Sequence, residues 1–142
     1  MSAPKLVGEI MTRNVSTVDH EATLLDAVLL LRSSGFRHLP VVNNGRVVGV
    51  LSDRDLQRAS PSMLAKLSPE EYNRIFETTP ITKVMARDPV TVTPETPVKD
   101  VVQLMHDEKF GSLPVVEGGK KLVGIVTTTD LLGVLHKLLL EA

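Results

Sequence analysis

The chain has 142 residues, enough for one ordinary domain and too few for two comfortable ones. A formal charge of −1, with one tyrosine, three phenylalanines and no tryptophan, supplies neither the cationic surface of a protein that tracks phosphate backbones nor a stacking platform for single strands. The absence of cysteine removes disulfides, thiolate nucleophiles and sulfur-built zinc sites.

The N-terminal "MSAPKLVGEIMTRN" lacks the apolar run of a signal peptide, and no stretch approaches the roughly 18 uncharged apolar residues of a membrane span. A soluble, cytoplasmic protein is expected. "VSTV" reads as a short β-branched strand. Leu24, Leu25, Val28 and Leu31 then carry the spacing of a helix that buries one face, and Gly35 stands where a C-terminal cap would. "LPVV" and "RVVGVL" flank Asn44-Gly45, a hairpin turn in which both residues tolerate positive φ. Ser52-x-x-Asp55 opens a second helix. "QRASPSMLAKLSPEEYNRIFETTP" is a helical connector with starts expected at Ser60-Pro61 and at Ser68-Pro69-Glu70-Glu71, the latter with carboxylates in the first turn.

The rest of the chain repeats the first part. One shift of the sequence puts Met11 on Met85, Thr17-Val18 on Thr91-Val92, Asp26 on Asp100, Phe36 on Phe110 and "LPVV" on "LPVV". After one extra residue near Lys121, Val48-Gly49 meets Val123-Gly124 and Asp55-Leu56 meets Asp130-Leu131. In the second copy Thr96-Pro97 reads as a cap followed by proline at the first helical position, with an apolar face of Val98, Val101, Val102 and Met105. Gly118-Gly119 belongs to a hairpin turn. The final helix carries a stripe of Leu131, Val134, Leu135, Leu138 and Leu139, which either closes the core or meets a partner subunit.

The expected architecture is therefore α/β (α+β): two β-α-β-β-α repeats, residues 7–60 and 81–137, joined by the helical connector 61–80. A unit of about 55 residues buries too little surface to be secure alone. The two copies are expected to pack about a pseudo-twofold axis and to leave clefts between them.

Ser52-x-x-Asp55 and Thr127-x-x-Asp130 fit a capping box, which by itself accounts for the residue types and contributes about 1 kcal/mol per helix. The same geometry serves a ligand. A hydroxyl at a helix N-terminus sits beside free amides that suit phosphate, and an ionised aspartate one turn on can accept from both hydroxyls of a ribose.

The doubled "MT" or "MA", the stretch leading to "F-x-x-L-P-V-V", the glycine-containing strand and the closing [ST]-x-x-D together resemble a pair of CBS domains, the cystathionine-β-synthase-type repeat, also called a Bateman module. The resemblance covers about residues 7 to 137. It implies a regulatory module that binds AMP, ADP, ATP or S-adenosylmethionine in clefts between the repeats, with magnesium relevant only to a polyphosphate. Carried over by residue, one site combines Met11, Ser16, Phe36, Arg37 and His38 with Thr127 and Asp130. The other combines Met85, Val90, Phe110, Gly111 and Ser112 with Ser52 and Asp55. The sequence does not itself show this crossing of copies. Arg37 can bind phosphate oxygens with two donors, and His38 can add charge below about pH 6.5, so the first site is expected to prefer the more phosphorylated ligand. Each also has an ordinary reading, Arg37 as a solvated cation and His38 as a neutral hydrogen-bonded side chain.

His20, His38, His106 and His136 lack metal-ligand spacing, and no Walker-type glycine loop occurs. Catalysis and a catalytic cofactor are not expected. The rival to ligand sensing is a module that only dimerises or docks on a protein. The resemblance implies a homodimer under either reading, with output passed to another protein in trans.

Overall fold

The computed structural model describes residues 3–35, 37–61 and 66–142, which form a mixed α+β structure. The chain separates into two compact units, one made of residues 16–88 and the other of residues 1–15 together with 89–142.

In the unit of residues 16–88, β1 (Val18–Asp19) runs parallel to β2 (His38–Asn43), which pairs antiparallel with β3 (Arg46–Ser52), which in turn pairs with β4 (Ala86–Arg87). The β2–β3 turn has Asn44 at φ 51° and Gly45 at φ 80°, the left-handed pair that the Asn-Gly sequence predicts. Helix α1 (Leu24–Ser34) is capped by Thr23, whose hydroxyl accepts from the Asp26 amide, and ends at Gly35 with φ 73°. It buries Leu24, Ala27 and Leu31 against Leu39, Val41 and Leu51 of the sheet. Helix α2 (Asp53–Ala59) adds Leu56 to this core. Helix α3 (Pro69–Thr78) is capped by Ser68 and begins with Pro69, Glu70 and Glu71 as expected. A helix beginning after Ser60-Pro61 would fall on residues 62–65, outside the described residues.

The other unit repeats this plan. Helix α4 (Val98–Glu108) packs on the hairpin of β5 (Ser112–Glu117) and β6 (Lys121–Thr127), and α5 (Thr128–Glu141) follows β6 directly. The extra residue of this copy is accommodated in the hairpin, where Gly119 and Lys120 both take positive φ.

Three expectations are corrected. The strand expected at Thr91-Val92 is reduced to a single parallel bridge, Val92 with Val115. In the first copy the ladder continues because the His20 amide donates to Val42 at 3.0 Å; the corresponding residue is Pro94, which has no amide to give. The cap of α4 is Pro97 and not Thr96: Pro97 is extended (φ −62°, ψ 138°), while the Thr96 hydroxyl accepts from the Thr93 amide at 3.0 Å instead. Val102 is 45% exposed, and the buried face of α4 is Val98, Val101 and Met105, with Leu104 packed at its edge.

Of the C-terminal stripe only Leu131 packs against the core and Val134 is half-buried. Leu135, Leu138 and Leu139 are exposed, as are Leu132 and Leu140. The core-closing alternative therefore holds for the first turn of α5 and fails beyond it.

Each core is completed by residues from the start of the other repeat. Val7 and Met11 are buried with Val92, Val101, Leu113 and Val126, and Ile81 is buried with Leu24, Leu39 and Leu51. The hydrogen bonds are duplicated as well. The Val7 amide donates to Thr96 and Ile81 to Ala22; the first amide of α4, Val98, donates to Lys5, and that of α1, Leu24, to Thr79. An amide in a first helical turn has no partner within its helix. Here the arm supplies one.

Candidate functional site

Strand β6 passes into α5 at Thr127, whose extended backbone (φ −124°, ψ 166°) ends the strand's run and whose side chain caps the helix. The Thr127 hydroxyl accepts from the Asp130 amide at 3.3 Å. One Asp130 oxygen, Oδ2, accepts from the Thr127 amide at 2.8 Å and from its hydroxyl at 3.1 Å. The capping box is thus closed in both directions.

The N-terminal arm runs into this corner. Thr12 exchanges two 2.9 Å backbone hydrogen bonds with Ile125, and its hydroxyl donates to Asp130 Oδ1 at 3.3 Å. Met11 lies over Gly124, where an added Cβ would stand 2.8 Å from the methionine sulfur and 2.9 Å from the Thr12 carbonyl oxygen. Glycine in the middle of this strand is required by the close approach of the arm.

The other unit builds the matching corner from β3 and α2. Ser52 caps α2 and accepts from the Asp55 amide at 3.1 Å, while Asp55 Oδ2 accepts from the Ser52 amide at 2.9 Å. Met85 lies over Gly49 as Met11 lies over Gly124, and Ala86 and Arg87 pair with Val50 and Gly49. Ala86 holds the position of Thr12 and has no hydroxyl. Among the described residues, Asp55 Oδ1 receives no hydrogen bond.

The remaining expected residues distribute as follows. His38 is the cross-strand partner of Ser52, and Ser112 is that of Thr127. The Arg37 carbonyl accepts from the Asp53 amide at 3.1 Å, and the Gly111 carbonyl from Thr128 at 3.2 Å. Arg37 is exposed, Ser16 is half-buried, Phe110 packs against the core and Val90 is 45% exposed. Phe36 lies outside the described residues. Met11, Thr127 and Asp130 of one expected site are brought together with Phe110, Gly111 and Ser112 of the other; Met85, Ser52 and Asp55 stand likewise with Arg37 and His38. Each corner gathers members of both groups.

His38 is corrected. Burial pushes its imidazole below the usual value of 6.5; Asp53 and Asp55 pull it up, and Arg37 pushes it further down. Its charge therefore appears only at a lower pH than the sequence alone implied. Two residues were missed from sequence. Asp53 acts on the charge of His38, and Thr12 acts on Asp130. The "MT" motif was the available signal for Thr12, but its meaning depends on a contact 118 residues away.

The family model described as "CBS domain" matches residues 7–62 and 81–137. The chain belongs to the CBS-domain family. A CBS domain-containing protein of Dictyostelium discoideum is 33% identical over 135 residues, spanning 94% of this chain and 93% of that protein. The crystal structure of the plant CBS-pair protein CBSX2 in complex with AMP has 28% identity and a TM-score of 0.79, covering 95% of this chain and 98% of that one; it comes from Arabidopsis thaliana. The CBS pair of protein MJ0100, in complex with 5′-methylthioadenosine and S-adenosyl-L-methionine, has 26% identity and a TM-score of 0.78, covering 96% and 98%. Other relatives are longer, and the chain spans between 23% and 46% of their length. No helix among the described residues is long and apolar enough to cross a membrane.

Proposed function

We propose that this CBS pair is a regulatory module that binds an adenosine derivative, with Asp55 and Asp130 each accepting ribose hydroxyls of one bound molecule, and that occupancy is passed on as a change of conformation. The residue-by-residue carry-over of Met11, Ser16, Phe36, Arg37 and His38 to the Asp130 site, and of Met85, Val90, Phe110, Gly111 and Ser112 to the Asp55 site, is part of this reading.

The observation that carries it is the meeting of Thr12 with Asp130, from opposite ends of the chain. An arm that only filled the core would need Val7 and Met11 to be apolar, but would not need to stop beside a half-buried carboxylate at a helix start. Adenosine compounds bound to the CBS pairs of CBSX2 and MJ0100 support the ligand class. The output is regulatory in this reading.

A ligand that binds only the folded state at 100 times its dissociation constant adds about 2.7 kcal/mol of stability. A thermal-shift panel of AMP, ADP, ATP with magnesium, S-adenosylmethionine and NADH is expected to stabilise the protein with at least one adenosine compound. Calorimetry on Asp55→Ala and on Asp130→Ala is then expected to show one molecule fewer bound in each. Unchanged stoichiometry in both variants overturns the ribose assignment, and no response to any member of the panel overturns the ligand class.

The exposed Leu132, Leu135, Leu138, Leu139 and Leu140 of α5 favour a second reading, a ligand-free module that dimerises or docks on a protein. Light scattering with and without the stabilising compound separates the two: a docking module keeps its mass and its stability whichever compound is added.

A further inference from the structure

The two aspartates are equivalent in sequence but differ in how much of their acceptor capacity is already taken. A carboxylate offers about four lone-pair positions. Asp130 uses three: the Thr127 amide and hydroxyl on Oδ2, at 2.8 and 3.1 Å, and the Thr12 hydroxyl on Oδ1, at 3.3 Å. Among the described residues Asp55 uses one, for the Ser52 amide at 2.9 Å; the Ser52 hydroxyl accepts from the Asp55 amide, and no bond from it to the carboxylate is formed.

The Thr12 bond is held in place. The two backbone bonds to Ile125 fix the arm on both sides of the residue, and a β-branched side chain has few χ1 positions to turn into. The opposite corner cannot copy it, because Ala86 has only a methyl group.

We infer that Thr12 is a specificity-determining residue: by occupying Asp130 Oδ1 it leaves that carboxylate able to read one ribose hydroxyl, whereas Asp55, in the corner that carries Ala86 in place of Thr12, reads both. The inference rests on the ribose assignment proposed above. It makes the Asp55 site the stricter of the two and the first to fill with a ribonucleotide. The Asp130 site accepts a 2′-deoxyribose nearly as well as a ribose.

The test compares AMP with 2′-deoxyadenosine 5′-monophosphate by calorimetry on single-site proteins. Asp130→Ala, which keeps the Asp55 site, is expected to prefer AMP by about tenfold or more, the worth of one hydrogen bond to a charged acceptor. Asp55→Ala, which keeps the Asp130 site, is expected to distinguish the two by no more than about twofold to threefold. Adding Thr12→Val to Asp55→Ala opens Oδ1 and is expected to bring the preference up towards tenfold, while Thr12→Ser, which retains the hydroxyl, leaves it low. Ala86→Thr in the Asp130→Ala protein does the reverse and lowers the preference at the Asp55 site.

Equal preference at the two sites, or a preference at the Asp130 site that ignores Thr12→Val, overturns the inference while AMP binding and the ribose reading stand. If the unaltered protein binds no adenosine compound of the panel, the ribose reading falls and this inference falls with it; if it binds another of them and not AMP, the same comparison is made between that compound and its 2′-deoxy form. Near-ultraviolet and far-ultraviolet spectra of each variant matching those of the parent keep a loss of folding from counting as a loss of preference.

Discussion

The corner built by β3 and α2 and the corner built by β6 and α5 share a backbone and differ in side chains. The carbonyl before each hairpin accepts from the start of the following helix at 3.1 Å and 3.2 Å, and the first amide of each long helix is taken by the opposite arm at 2.9 Å in both units. Against this constancy stand Thr12 and Ala86, His38 and Ser112, His20 and Pro94, which are matched in position and unlike in chemistry. Buried amides and carbonyls must be paired wherever they occur. Exposed and half-exposed side chains carry no such obligation, and it is there that the copies have diverged.

The strand glycines offer the largest break in the comparison. An added Cβ at Gly49 would stand 2.5 Å from the Met85 sulfur and 2.9 Å from the Ala86 carbonyl oxygen, against 2.8 and 2.9 Å from Met11 and Thr12 at Gly124. Gly49→Ala and Gly124→Ala are each expected to cost about 1–3 kcal/mol in urea unfolding, with Gly49→Ala the more costly. Adding Met85→Ala to Gly49→Ala relieves the sulfur contact but leaves the carbonyl, so recovery is expected to be partial. Full recovery would mean that the backbone approach imposes nothing.

Next come the caps. Ser52→Ala and Thr127→Ala each remove a hydroxyl that accepts from the third helical amide, worth about 1 kcal/mol. Thr127→Ala is expected to be the more destabilising, because its hydroxyl also donates to Asp130 at 3.1 Å and Ser52 makes no such bond. Equal losses in urea unfolding would show that the additional bond adds nothing to the fold.

The smallest effect is the pH response that only one corner owns. The His38 value is lowered by burial, so the folded state binds this proton less tightly than the unfolded state. Stability from keeping His38 neutral is present above its folded value's usual counterpart of 6.5 and falls as pH drops from there towards the lowered value. Asp53 and Asp55 moderate the loss, and Arg37 deepens it. His38→Ser, which copies Ser112, is expected to flatten the fall in stability between about pH 7 and 5. A slope identical to that of the parent would assign the response to other groups.

What the sequence made legible was local. The Asn44-Gly45 turn, the Gly35 cap, the Ser68-Pro69 start and both capping boxes each involve residues within four positions of one another, and each formed where its residue types directed. The errors were also local, but of competition: Thr96 has two possible uses for its hydroxyl and serves Thr93, and Val102 sits at the flank of a face whose centre is Val101. The expectation of a strand at Thr91-Val92 overlooked Pro94, although the missing donor was visible in the sequence.

The site was legible only as far as its short motifs reach. That Met11 belongs over Gly124, or that Thr12 touches Asp130, cannot be read from spacing, since loop closure over such a separation leaves no periodic trace. The crossing of copies at a ligand site is implied by the resemblance to CBS pairs alone; within each unit, the residues at the start of one repeat finish the core of the other.

That exchange puts heredity and packing out of step. The stretch that was copied begins near Val7 and again near Ile81, whereas the stretch that holds together on its own side chains begins after Val15 and runs to Asp88. A piece cut at the boundaries of the copy leaves behind the plug its interior needs and carries off a neighbour's. The two halves therefore hold only as a pair: each takes its stopper from the other, and neither can be removed without uncovering the one that stays.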